Sequence, residues 1–144
     1  MPLSKKKIKR GGSLSNNNNN LTRKRVNTML VDQEKDNILK ELYKYIKADN
    51  SNNEKIKLLL SSKNLPNLNT IPEYETDTLL FYACENENNK IIDELIKKGA
   101  NPNIKTSLGK SLVYTAISEN KLLVLKKLLL GKADVNILDD GETI

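Results

Sequence analysis

Apolar residues fall along this chain in paired clusters of helical spacing, divided by polar stretches that favour turns. Ile38, Leu39, Leu42, Tyr45 and Ile46 predict one helix, and Ile56, Leu58, Leu59 and Leu60 the next. Ser51-Asn52-Asn53-Glu54 has the form of a capping box ahead of that second helix. Further on, Leu80, Ala83 and Cys84 would face inward from a third helix opened by Thr78, whose hydroxyl is placed to cap it. Ile91, Ile92, Leu95 and Ile96 make the stripe of a fourth. Lys97 and Lys98 suit the negative end of its dipole, and Gly99 a left-handed stop. The pattern then recurs, with Val113, Ala116 and Ile117 on a fifth helix and Val124, Leu125, Leu128 and Leu129 on a sixth.

The recurrence has a fixed period. Residues 78–83 align with 111–116, residues 100–104 with 133–137, and the stripe at Ile91 with that at Val124, all at an offset of 33. Gly131 alone falls one place early. Before these two units, Ile56, Leu59 and Leu60 match Ile92, Leu95 and Ile96, and residues 65–68 echo residues 101–104. A period of this size marks stacked supersecondary units, each unable to bury its apolar face alone. The motif Thr78-Leu79-Leu80-Phe81-Tyr82-Ala83 and its copy at Ser111 resemble the T-P-L-H-x-A signature of ankyrin repeats.

The resemblance implies an all-α, ankyrin-like helical solenoid of stacked helix pairs joined by short hairpin loops. The expected organisation is a disordered basic tail over residues 1–30 and an array over 31–144. Within the array, 31–69 reads as a degenerate capping repeat, 70–104 and 105–137 as full repeats, and 138–144 as the start of another, resting on Asp139-Asp140-Gly141-Glu142-Thr143. The chain stops at Ile144, so the sequence reads either as a fragment of a longer array or as one whose last apolar face is uncovered. The linker between the first two units is three residues longer than the next, which predicts an enlarged, exposed hairpin. Two positions depart from the signature. Leu79 and Leu112 stand where the family has proline, forfeiting a preset backbone angle worth roughly 0.5–1 kcal/mol at each site. Phe81 and Tyr114 stand where the family histidine ties neighbouring loops; phenylalanine cannot do so, whereas tyrosine has a hydroxyl to offer.

Composition narrows the chemistry. With no histidine and one cysteine, no Ser-His or Cys-His nucleophile pair, His-ligated metal or multi-cysteine site can be drawn. Cys84 reads as a small core residue, and the expectation is a protein with no catalytic residues, metal, cofactor or small-molecule substrate. Gly109-Lys110-Ser111 resembles the end of a phosphate-binding loop, but the earlier glycine such a loop needs is Ile104. Asn20-Leu21-Thr22 has the letters of a glycosylation sequon with no secretory core near Met1. No apolar run is long enough to span a bilayer, and the expected setting is intracellular.

The charge is uneven. Residues 1–30 hold eight of the 24 basic residues and none of the 18 acidic ones, which leaves the rest of the chain nearly neutral. Lys6, Lys7 and Lys9 resemble a monopartite nuclear-import signal, and Lys9-Arg10 with Arg23-Lys24-Arg25 a bipartite one. The same clusters read equally as a solvated charge run or as a polyanion-binding tail, so nucleus and cytoplasm both stay open. No aromatic residues are interleaved to stack on bases, so nucleic acid enters as an expected partner through the tail alone.

The ankyrin resemblance implies a non-catalytic protein–protein interaction scaffold or adaptor, acting through hairpin tips and the concave face of each first helix. The matching positions are Tyr74, Glu75, Asp77, Glu85 and Asn86 in one unit and Ser107, Leu108, Lys110, Ser118 and Glu119 in the next. Tyr74 and Leu108 are the most telling, because an aromatic or apolar side chain on a loop tip has more reason to bind than a charge has. The alternative is a nucleic-acid-associated protein whose tail binds while the repeats act as a spacer.

Overall fold

A computed structural model of the chain describes residues 2–136, 138–139 and 142–143, with side chains over residues 22–136. Six helices occur among them: α1 (Pro2–Ala48), α2 (Asn53–Leu60), α3 (Leu79–Glu85), α4 (Asn89–Lys97), α5 (Leu112–Ser118) and α6 (Leu122–Leu130). A two-residue strand pair follows, β1 (Leu138–Asp139) antiparallel to β2 (Glu142–Thr143). The chain divides into two compact units, Met1–Asp36 and Asn37–Ile144.

The first unit is the longer part of α1. It takes in residues 2–30 as helix. Every described side chain from Thr22 to Leu30 is exposed, so helix in that stretch draws on its own hydrogen bonds and not on tertiary burial. The side chains of Lys6, Lys7, Lys9 and Arg10 lie outside the described residues, whereas those of Arg23, Lys24 and Arg25 are exposed.

The second unit is a stack of helix pairs. Helix α3 packs on α4 and α5 on α6; across the stack, α4 lies between α2 and α6, and α3 against α5. Each face buries one stripe of the repeat. Ile56 and Leu60 of α2, Ile91, Ile92 and Leu95 of α4, and Val124 and Leu128 of α6 form one row of the core. Leu79, Leu80, Ala83 and Cys84 of α3, with Leu112, Val113 and Ala116 of α5, form the other. The equivalence of Leu95 and Leu128 in adjoining layers is therefore met, both being fully buried. Tyr43 of α1, at i+4 from Leu39 and i+3 before Ile46, is on the same stripe and in the core, whereas Tyr45, expected there, is half-buried; the Tyr43 ring packs edge-on against that of Tyr82 at 6.0 Å.

Helix starts follow local chemistry. Thr78 Oγ1 accepts from the backbone N–H of Phe81 and Ser111 Oγ from that of Tyr114, one cap per repeat. The capping box at Ser51 does not form. A 3-10 turn spans Asn50–Asn52, and Asp49 caps it by accepting from Ser51. Asp49 takes the Ser51 N–H that Glu54 would accept in the box, and the Ser51 hydroxyl donates to the same carboxylate instead of capping.

Helix ends also keep the period. Asn88 N–H bonds back to Ala83, Ala100 to Leu95, Lys121 to Ala116 and Ala133 to Leu128, each after a left-handed residue. Those residues are Glu87, Gly99, Asn120 and Lys132, with φ of 51°, 103°, 57° and 66°. Gly131, one place early in sequence, is thus not the left-handed stop. It is a spacer: a Cβ there would come within 2.8 Å of Ile96 Cδ1 in the preceding layer. Lys132 and Glu87 hold a conformation that L side chains adopt at a penalty.

Two further expectations are corrected. Ile117, aligned with buried Cys84, is 47% exposed, and Leu129, aligned with half-buried Ile96, is also exposed. Both sit on the last helix pair, where the neighbour that shelters Cys84 and Ile96 one layer earlier has no counterpart among the described side chains.

Two predictions follow from the packing. Leu95→Ala and Leu128→Ala should each lower unfolding free energy by about 2–5 kcal/mol, while Leu122→Ala, at a 67% exposed position, should stay within about 0.5 kcal/mol. Urea midpoints compare the three, and equal losses at Leu122 and Leu128 would contradict the layering. Lys132→Gly should raise stability by roughly 0.5–1 kcal/mol, because glycine enters the left-handed region freely and loses part of that gain to its own chain entropy. Thermal melts of Lys132→Gly beside Gly131→Ala give the check, with the two moving in opposite directions.

Candidate functional site

The loops between helix pairs are held in place by polar side chains of the loops themselves. In each, an Asn or Asp accepts from the N–H two residues on: Asn67 from Asn69, Asn101 from Asn103 and Asp134 from Asn136. The asparagine so oriented reaches into the next unit. Asn69 Oδ1 accepts from Asn101 N–H at 2.7 Å, and Asn103 Oδ1 accepts from Asp134 N–H at 2.7 Å. Asparagine suits the task because a single side chain offers both an acceptor and a donor, and Asn69 Nδ2 also donates to the Gly99 carbonyl.

A second tie joins the hairpins nearer their tips. Asp77, 5% exposed, accepts from Ser107 N–H at 2.7 Å and from Ser107 Oγ at 3.1 Å, with Thr76 Oγ1 donating to the same carboxylate. The Tyr43 hydroxyl donates to the Thr70 and Asp77 carbonyls, and burial, aided by Glu75, pushes that phenol well above its usual range. The hairpin of residues 70–77 is thus fastened to α1 behind it and to the next hairpin beside it. That next hairpin closes through Thr106 N–H to the Lys110 carbonyl, with Gly109 at φ 77°.

These bonds sort the residues chosen from sequence. Asp77 is not offered to a partner; its carboxylate is buried and committed to Ser107. Asn86 is similarly occupied, its Nδ2 donating to the Ile46 carbonyl and so satisfying a terminal acceptor of α1. Glu75 pairs with Lys47 at 2.9 Å, and Lys121 bridges Glu119 at 2.7 Å and Glu85 at 3.9 Å. Lys110 lies over the Tyr114 ring at 4.9 Å, and Ser118 donates to the Thr115 carbonyl of its own helix. Tyr74 at 58% and Leu108 at 81% exposure project from the two fastened hairpins. Those two, with the rims of Ser107, Glu85 and Glu119, make up a surface facing solvent.

Other chemistry is sparse. Cys84 is buried and its thiol is pushed up to about 12 by that burial, outside the range of a reactive thiolate. Among the described residues no cluster of Cys, Asp and Glu is arranged to hold a metal, and no helix is long and apolar enough to cross a membrane. The segment at Gly109 to Ser111 is a turn and a helix cap, with Ser111 bonded to Tyr114.

Comparison with known proteins bears directly on this architecture. A family model described as ankyrin repeats (three copies) matches residues 42–139, more than half of the chain. The chain belongs to the ankyrin-repeat family. A Fowlpox virus (strain NVSL) protein named for its ankyrin repeats is 40% identical over 67 residues, which cover 46% of this chain and 20% of that protein. The crystal structure of the ankyrin repeat domain of Bcl-3, described as a unique member of the IkappaB protein family, matches with a TM-score of 0.55 at 23% identity. That match covers 62% of this chain and 39% of the other, and at such identity it speaks to the fold alone. The chain thus spans well under half the length of these relatives. Ankyrin repeats are generally protein-interaction modules, and no catalytic domain accompanies them in this match.

The Asp77 tie yields a prediction. Asp77→Ala should lower unfolding free energy by about 1.5–3 kcal/mol, the range for hydrogen bonds to a charged group, whereas Ser107→Ala, which keeps the backbone bond, should lose about 1 kcal/mol or less. Urea titrations of both variants and the double variant test it; a double variant no worse than Asp77→Ala is the expected sign of one shared interaction.

Proposed function

We propose that this ankyrin-repeat chain is a non-catalytic scaffold or adaptor that binds a protein partner across its hairpin tips. One observation carries the reading: Tyr74 and Leu108, both exposed, stand on hairpins tied together through Asp77 and Ser107. An apolar side chain on a mobile loop would lose ordering entropy when it bound. On a loop already fastened by several hydrogen bonds, much of that loss is avoided. Aromatic anchors of this kind supply large contact area from few rotatable bonds. Ser107 and Lys110 on the hairpin, and Glu85, Ser118 and Glu119 at the far ends of α3 and α5, are the polar positions proposed to set specificity by charge and hydrogen bonding. Residues 1–30, with exposed Arg23, Lys24 and Arg25, add localisation or electrostatic recruitment through basic clusters.

The double variant Tyr74→Ala/Leu108→Ser tests the reading in the full chain. Both positions are exposed, so the urea midpoint should hold. Proteins that co-purify with the natural chain from cells should fall by at least about tenfold with the variant, as for truncation of interface anchors. Retention of the same proteins at the same yield would reject hairpin-tip binding.

A further inference from the structure

Beside Tyr74 lies a groove of about 450 Å3 that the hairpin-tip reading leaves unused. One wall is α1, through Lys40, Tyr43, Lys44 and Lys47; the other is the hairpin, through Tyr74 and Glu75. Residues 40, 43, 44 and 47 recur at three and four positions and therefore share one helix face. The lining is mostly apolar, as long lysine stems and tyrosine rings make it.

The charges in it do not cancel. Lys47 is held by both carboxylate oxygens of Glu75, at 2.9 and 3.1 Å, and lies 5.0 Å from the Tyr82 ring centroid. That pair is neutral overall. Lys40 and Lys44 have no ion pair among the described residues; Lys44 rests 5.4 Å from the Tyr45 ring centroid, and both lysines are exposed. Lys40 and Lys44, one helical turn apart, thus line the groove beside exposed Tyr74, and the flexible stem of Lys44 lets its ammonium leave Tyr45 for a ligand.

We propose that this groove binds an extended acidic peptide segment of the protein partner, with two carboxylates at alternate positions meeting Lys40 and Lys44 and a bulky apolar side chain packing on Tyr74. The inference rests on the interaction-surface reading above and names the chemistry of what is bound. The spacing is the reason for alternate positions. Lysines at i and i+4 on a helix are roughly 6 Å apart. Side chains at i and i+2 of an extended peptide share a face and are separated by about 6.6 Å. Adjacent carboxylates would point to opposite faces, and only one could be met. The wall from Lys40 to Ala48 spans about 12 Å, enough for about four extended residues. A nucleic-acid strand, which also carries regular negative charge, finds no open pair of aromatic faces here on which to stack, since Tyr43 is buried.

The test uses the full chain and a fluorescein-labelled peptide carrying Glu-x-Glu followed by Leu, with fluorescence anisotropy as readout. Three partners are compared with it: the same peptide with both Glu replaced by Gln, the peptide with the two Glu adjacent, and a short single-stranded oligonucleotide. The Glu-x-Glu peptide should bind at least about tenfold more tightly than either altered peptide. Lys40→Glu/Lys44→Glu and Tyr74→Ala should each weaken it by a similar factor, with unchanged circular dichroism. Charge reversal of Lys6, Lys7, Lys9 and Arg10 should weaken it much less. Absence of peptide binding, equal binding of the Gln peptide, loss through the tail variant alone, or tighter oligonucleotide binding that Lys40→Glu/Lys44→Glu removes would each overturn the assignment. If the peptides fail while Tyr74→Ala/Leu108→Ser still releases the cellular partner, the groove is wrong and the hairpin surface stands.

Discussion

The structure depends on burial that no single repeat can complete. Leu95 is fully sheltered because α4 has α2 on one side and α6 on the other. The same leucine in an isolated helix pair would face water, and each fully buried leucine contributes roughly 1.5–3 kcal/mol. Stability is therefore a property of the contacts between layers, and it accumulates along the stack. The last layer shows the dependence from the other side. Ile117 and Leu129 have the right residue type and the right register, yet they are exposed, with no described helix packed beyond them.

Burial of stripes leaves the spacing between loops underdetermined, since apolar contacts carry little directional preference. Hydrogen bonds supply the direction. Asn69 and Asn103 each link one loop to the next at 2.7 Å, and Asp77 repeats the linkage nearer the tips. Gly131 serves the same end by subtraction, since a Cβ there would crowd the Ile96 side chain at 2.8 Å. The repeat period survives as a geometric fact even where residue identity drifts. Glu87 and Asn120 occupy one left-handed position, and Gly99 and Lys132 another, with four residue types in four places. Backbone geometry is shared because the layers must stack; side-chain identity follows only where the penalty is large.

That distinction explains what could be read from the residues alone. The helix pairs, the caps at Thr78 and Ser111 and the inward leucines were legible because apolar period and cap chemistry are local signals, repeated at 33 residues. The surface was legible only in outline. Asp77 and Asn86 have the polarity of surface residues and the alignment of binding residues, yet they are taken up by Ser107 and by the Ile46 carbonyl, partners 30 and 40 positions away. No local pattern announces such a bond. Tyr43 fits the apolar spacing of Leu39, Leu42 and Ile46, but its hydroxyl bonds to two loop carbonyls 27 and 34 positions away have no local signal. The asparagine links hid in plain view, because asparagine is abundant along the whole chain.

The same accounting shapes what the protein has left to offer a partner. Several polar groups picked out by the repeat pattern are engaged within the fold, through Lys47 with Glu75, Lys121 with Glu85 and Glu119, and Lys110 over Tyr114. A partner that competed for those groups would have to break one interaction to gain another, with little net benefit. Exposed side chains such as Tyr74, Leu108 and Lys40 are the ones the proposals above assign to a partner. An interaction surface in a thin solenoid is thus what remains after stacking has claimed its share. Because the remaining groups sit on elements that stacking has made rigid, a complementary ligand meets them already in position.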